Sequence, residues 1–190
     1  MNKETRTPAL PSSVVTIFKW SWPPMTSRPP SVVRSLRFSG TRQQACGLDV
    51  IGGHDHLKIV TTELGKAGVR VSLFIEPSLE AVQASRSIGA PVIELHTGAW
   101  CDALAHHQGE RAAREFARIK SAVALASGQG VECHAGHGLD FATAKTVASL
   151  PEIAELNIGH FLIGEAVFIG LKAAIAKMRA AMNEGRASAR

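Results

Sequence analysis

Two stretches of this chain bring together residues able to do chemistry: Cys133-His134-Ala135-Gly136-His137-Gly138-Leu139 and Asn157-Ile158-Gly159-His160-Phe161-Leu162-Ile163-Gly164. Each is an apolar run that breaks into glycine and histidine before a helical pattern. A parallel strand presents polar groups at its C-terminal end in this way, on the face where (β/α)-barrel enzymes build their sites. Histidine suits proton transfer near neutrality. His137 lies between Gly136 and Gly138, which permit a tight turn and leave backbone N–H groups free to approach a phosphate. Gly159-His160 at the last strand, with Gly164 toward the final helix, offers the phosphate site that barrels place beside their last two strands. Glu165 suits the helix dipole there but would repel an anion if it faced the site. Glu94 and His96 alternate with Ile93 and Leu95 and so share one strand face. On the inward face of a barrel a carboxylate is either paired in a structural layer or used.

Other arrangements carry less. Eight histidines invite a metal reading. His54/His56 and His106/His107, however, lack the i, i+4 spacing of a helical metal pair, Cys133 and His134 would point to opposite strand faces, and neither HExxH nor CxxC occurs, so no metal is expected. Cys46, Cys101 and Cys133 have no regular spacing and read as free thiols of a reducing cytosol. The longest apolar candidate, 161–176, is broken by Glu165 and Lys172 and falls short of a membrane span. Pro8 and Pro11 spoil the start as a signal peptide. The expectation is a cytoplasmic protein with no membrane partner.

The elements that must position these groups begin at Gly47. Residues 55–67 read as a helix stopped by Gly68, 69–75 as a buried strand, and 79–88 as a helix capped by Ser78, with Glu76 and Glu80 supporting its start. A strand follows at 91–96. The helix at 111–127 carries Ala112, Phe116, Ile119, Val123 and Ala126 on one stripe. Then come a strand at 131–134, a short helix at 141–149, a strand at 155–158 and a closing helix at 166–183. Alternating units of this size imply a parallel sheet with right-handed crossovers. The fold class is therefore α/β, the C-terminal half of a (β/α)₈ TIM-type barrel with about four parallel strands and their helices. Such a half barrel would leave two open sheet edges and an exposed inner face.

Residues 1–45 differ in kind. Six of the nine prolines fall there, mixed with Ser, Thr and Arg, and no helical or strand period survives. Seven basic residues face one acid, Glu4, in this segment, so the chain's formal charge of +5 belongs to it and the rest is near neutral. A nucleic-acid reading of the globular part loses its main support, and no nucleic-acid partner is expected. The expected organisation is an irregular, basic, Pro-rich segment over 1–45 and a partial barrel domain over 46–190.

GLDV (47–50), GVRVSLFIEP (68–77), GAPVIELHTGAW (89–100), ECHAGHGL (132–139) and PEIAELNIGHFLIGEAVFIGLKAAI (151–175) closely resemble the pyridoxine 5′-phosphate synthase family, PdxJ. The resemblance covers about 46–187, and IELHTG, AGHGL and ELNIGH in this order are highly specific. It implies a (β/α)₈ barrel, assembled as a homo-octamer, that uses no metal or organic cofactor. It also implies condensation of 3-amino-2-oxopropyl phosphate with 1-deoxy-D-xylulose 5-phosphate, two phosphorylated small molecules, in vitamin B6 biosynthesis. By motif, His137 matches the family's proton donor, and Glu94 a glutamate that stabilises the transition state. Gly138, Gly159 and His160 match its contacts to 3-amino-2-oxopropyl phosphate.

The first half of the family's pattern has no such match. That half supplies an Asn-x-Asp-His strand end, a catalytic His followed by Arg, and a catalytic Glu in Asn-Leu-Glu-Met-Ala, whereas residues 1–45 contain no His and only Glu4 as an acid. A reading-frame error is one explanation, and their Pro/Arg/Ser/Trp-rich composition suits out-of-frame text from a GC-rich gene. Shifted by one frame and with a preceding A, the codons of Trp22-Pro23-Pro24-Met25-Thr26 give Met-Ala, which resembles the family's Glu-Met-Ala segment. Two expectations follow: a synthase impaired by loss of these groups, or a catalytically inactive half barrel that associates with an intact homologue.

Overall fold

The structure, a computed structural model, describes residues 14–17 and 46–189. Five parallel strands stand in chain order in one sheet: β1 (Val14–Ile17), β2 (Arg70–Ile75), β3 (Val92–His96), β4 (Glu132–Gly136) and β5 (Ile153–Asn157). The helices are α1 (His54–Lys66), α2 (Leu79–Ile88), α3 (Gly98–Ala105), α4 (Gly109–Gly128), α5 (Phe141–Ala148), α6 (His160–Ile169) and α7 (Leu171–Ala187).

Alternation gives the sheet two unlike faces. Leu73, Ile75, Ile93, Leu95 and Ala135 are all fully buried, in one cluster with Val82, Ile119, Val123 and Ala126 of α2 and α4. Each large aliphatic side chain buried there contributes ~1.5–3 kcal/mol. The alternate positions carry Arg70, Ser72 and Phe74 on β2, Glu94 and His96 on β3, and His134 on β4. The register sets Phe74, Glu94, His134 and Glu155 side by side across four strands. Helix starts follow local chemistry: Ser78 Oγ accepts from Ala81 N at 3.1 Å, and Asp140 and Thr143 form a reciprocal capping box on α5.

Several boundaries depart from the sequence reading. Within 1–45, where no element is expected, Val14–Ile17 pairs with Arg70–Leu73. Its sequence, Val-Val-Thr-Ile, is β-branched throughout and suits a strand. The rest of that segment lies outside the described residues. α3 has no counterpart in the sequence reading, and the expected closing helix is two helices broken at Gly170 (φ 83°). Gly164 and Glu165 therefore lie inside α6, and the helix N-terminus that could meet an anion is at Gly159-His160. β4 runs two residues beyond its expected end at 134, which places His134 in the interior of the strand instead of at its end. β5 starts two residues early. The inner face is also not exposed along its middle: Ser72, Val92, Glu94 and His134 are all buried.

Candidate active site at the ends of β3 and β4

Glu94 projects from the centre of the sheet and is 2% exposed. Gly136, one strand over, has no room for a side chain, because a Cβ there would fall on Glu94 Oε1 and 2.9 Å from the Asn157 carbonyl. Glu94 Oε2 is buried with no hydrogen-bond partner among the described residues. Burial raises the Glu94 carboxyl to about 7, with the Glu155 charge adding to the rise and Asn157 and His96 opposing it. Near neutrality it is therefore a mixture of acid and carboxylate, able to donate a hydrogen bond in one form and to stabilise a cation in the other.

Two residues along β3, His96 shares this face. Its Nδ1 lies 3.0 Å from Glu76 Oε1, which also accepts the Gly47 N–H at 2.9 Å. Burial pushes the Glu76 carboxyl up, but the bonds from His96 and Gly47 outweigh it and hold the group below its ordinary value. The sequence reading gave Glu76 to the start of α2; the structure turns it to His96 instead. Phe74 meets the imidazole edge-on at 5.3 Å, and the His137 ring lies 4.7 Å from it, tilted by 56°. Gly98 closes this corner: a Cβ there would approach His96 Nε2 to 2.6 Å and His137 Cδ2 to 2.7 Å.

His137 takes φ 77° and Gly138 φ 79°. For a residue with a Cβ this left-handed conformation costs ~1–2 kcal/mol. Thr97 holds it: its Oγ1 donates to Gly136 O at 2.8 Å and His137 O at 2.6 Å, while its N–H donates to Gly136 O at 2.9 Å. Thr97 precedes α3 but makes no side-chain cap, because its hydroxyl is engaged by the neighbouring strand end. Partial burial, with His96 and His160 nearby, lowers the His137 pKa, against a smaller upward pull from Glu76. The neutral imidazole is thereby favoured, and the imidazolium is the stronger acid when it forms.

Gly159 and His160 stand at the end of β5, where His160 opens α6; both are exposed. The fold thus gathers Glu94, His137 and Gly138 with a second strand end bearing Gly159 and His160. His134 belongs to a lower layer, where its Nε2 lies 2.8 Å from Glu132 Oε1 while Arg70 holds the Glu132 carboxylate with two hydrogen bonds. Burial pushes the Cys101 thiol up to about 11 and the Cys133 thiol to about 12, so neither is a thiolate nucleophile at neutral pH. No group of three or more His, Cys, Asp or Glu among the described residues could hold a metal ion. No helix among them is long and apolar enough to cross a membrane. Sequence reasoning missed Glu76, Thr97 and Gly98. The signal available was position, since all three lie within two residues of a strand end.

Consecutive βα units with polar groups gathered at the C-terminal strand ends define part of a (β/α)-barrel protein. The profile of the family described as "Pyridoxal phosphate biosynthesis protein PdxJ" matches residues 40–184, and the chain belongs to that family. Its relatives include proteins named pyridoxine 5′-phosphate synthase. That of Rhodospirillum rubrum is 61% identical over 137 residues, covering 72% of this chain and 54% of its own length. That of Caulobacter sp. is 53% identical over 140 residues (74% and 56%), and that of Bradyrhizobium diazoefficiens 51% over 143 (75% and 57%). The chain thus spans about half the length of the relatives it matches.

Proposed function

We propose that this chain carries one half of a pyridoxine 5′-phosphate synthase site, the half that holds 3-amino-2-oxopropyl phosphate. The observation that supports this most is the union of a buried glutamate at a pKa of about 7 with a histidine held at positive φ on the next strand end, in a chain of the PdxJ family. His137 donates the proton, and Glu94 stabilises charge that develops beside it. The backbone of Gly138 and Gly159, with His160 at the start of α6, receives the phosphate. The reaction is the condensation of 3-amino-2-oxopropyl phosphate with 1-deoxy-D-xylulose 5-phosphate. In this chain alone it is impaired, because residues 1–45 bring no His and no acid but Glu4. Losing one general base commonly costs 10²–10⁴-fold. Residues 1–45 are read here as out-of-frame text; an upstream nucleotide sequence encoding the family's first half in neither alternative frame would overturn that reading.

The second reading, an inactive half barrel that associates with an intact homologue, rests on α6. None of its residues is buried, and Ile163, Val167 and Phe168 are 62%, 78% and 84% exposed. A turnover assay with both substrates separates the two. Pyridoxine 5′-phosphate formed by the chain and lost in His137→Ala establishes the enzyme. No product above that control leaves the inactive half barrel.

A further inference from the structure

His96 is the polar group of this corner that the proposed roles leave unused. Its side chain is 9% exposed, one ring nitrogen is bound to Glu76, and the other, Nε2, is buried without a hydrogen-bond partner. A buried polar atom left unsatisfied forfeits the hydrogen bonds it had in water, so such atoms persist mainly where something else satisfies them. The Glu76 carboxylate accepts from Nδ1, which fixes the tautomer: Nδ1 carries the hydrogen and Nε2 presents a lone pair. Nε2 lies against Gly98, where an added Cβ would approach it to 2.6 Å, and beside the His137 ring.

The charges around this corner select the donor. Glu76 is bound to the far side of the ring, and Glu94 stands two residues back on the same strand face, with Glu155 close enough to raise its pKa. Arg70, on the same sheet face, is tied to Glu132 in the lower layer. A corner walled by carboxylates favours a cation over an anion, whereas the backbone amides of Gly138 and Gly159 suit the opposite charge. We propose that His96, oriented by Glu76, is a substrate-binding residue whose Nε2 accepts a hydrogen from the ammonium group of a small phosphorylated aminoketone. The ketone lies beside His137 with its phosphate toward Gly138 and Gly159. This rests on the reading of the site given under Proposed function and names the residue that would recognise the amino end.

Two measurements on the full chain test it. Long-range ¹H–¹⁵N NMR reads the His96 tautomer without ligand. The expected result is a protonated Nδ1 and a bare Nε2, and the reverse tautomer would overturn the proposal. Calorimetric titration then compares 3-amino-2-oxopropyl phosphate with acetonyl phosphate, the same ketone phosphate without the amino group. A charge-assisted bond predicts that the wild-type chain prefers the aminoketone by roughly tenfold or more. His96→Phe should abolish the preference and leave acetonyl phosphate binding unchanged. His96→Gln, which keeps an acceptor near Nε2, should retain part of it. If the circular dichroism spectrum shows His96→Phe misfolded, Glu76→Gln replaces it, with the preference falling severalfold. A preference unchanged in a folded His96 or Glu76 variant would overturn this inference and leave the functional reading standing. Binding of neither phosphate to the wild-type chain would overturn the functional reading and this inference with it.

Discussion

The ends of β4 and β5 both offer glycine followed by histidine, yet their surroundings differ. At the end of β4, Thr97 donates to two consecutive carbonyls, Glu94 lies over Gly136, and His137 is held at φ 77°. At the end of β5, a Cβ on Gly159 would meet nothing within 4 Å, and α6 buries none of its residues. β4 has a strand on each side, whereas among the described residues only β4 pairs with β5. Geometry that costs energy, such as a left-handed histidine or a buried carboxyl, persists only where neighbours on both sides enforce it. The strand end proposed for proton transfer is therefore preorganised, while the phosphate contacts proposed at Gly159 and His160 lie at the margin of the sheet.

The largest effect should come from filling the tight end. Gly136→Ala puts a methyl group against Glu94 and the Asn157 backbone. It should cost about 3 kcal/mol, the upper range for overpacking, read as a lower urea midpoint at unchanged slope. Glu94→Gln should act through pH. Because the folded-state pKa is raised from 4.5 to about 7, the native state binds the proton more tightly, so the Glu94 contribution weakens as pH rises through this window. The Gln variant should lack that decline and gain up to about 3 kcal/mol over wild type at pH 8 relative to pH 4. Parallel stability profiles for the two proteins would show that Glu94 ionises freely.

Thr97→Val removes the hydroxyl donor to Gly136 O and His137 O and should cost ~1–2 kcal/mol in thermal or urea unfolding. His137→Gly, which relieves the positive φ, should stabilise by up to ~1 kcal/mol in the same assay while removing the proposed acid. Gly159→Ala is the control on the loose end: with φ −109° and open space around it, it should change stability by less than ~0.5 kcal/mol. A large loss there would erase the contrast between the two ends.

The strands from β2 to β5 were legible because each is a short apolar run bounded by glycine, proline or a helical stripe, and Leu79–Ile88 was legible to the residue because Ser78 and Gly89 mark its ends. α3 was not legible. It is short, and its first flanking residue, Thr97, spends its hydroxyl on another strand and leaves no local capping signal. Glu94 and His96 could be placed on one face by alternation alone. That His96 is tied to Glu76 could not, because the pair spans 20 positions and depends on how β2 and β3 are set beside each other. The break between α6 and α7 rests on one glycine in a run that is helical on both sides, and nothing in the local pattern distinguishes a break from a continuation.

The ends of β4 and β5 are proposed to hold a phosphorylated aminoketone between them. Backbone amide shifts of the full chain during titration with 3-amino-2-oxopropyl phosphate test it most directly. Saturable shifts are expected, concentrated at Gly138, Gly159 and His160, with smaller ones at His96 and Thr97. Shifts confined to other regions, or none at saturating ligand, would contradict it.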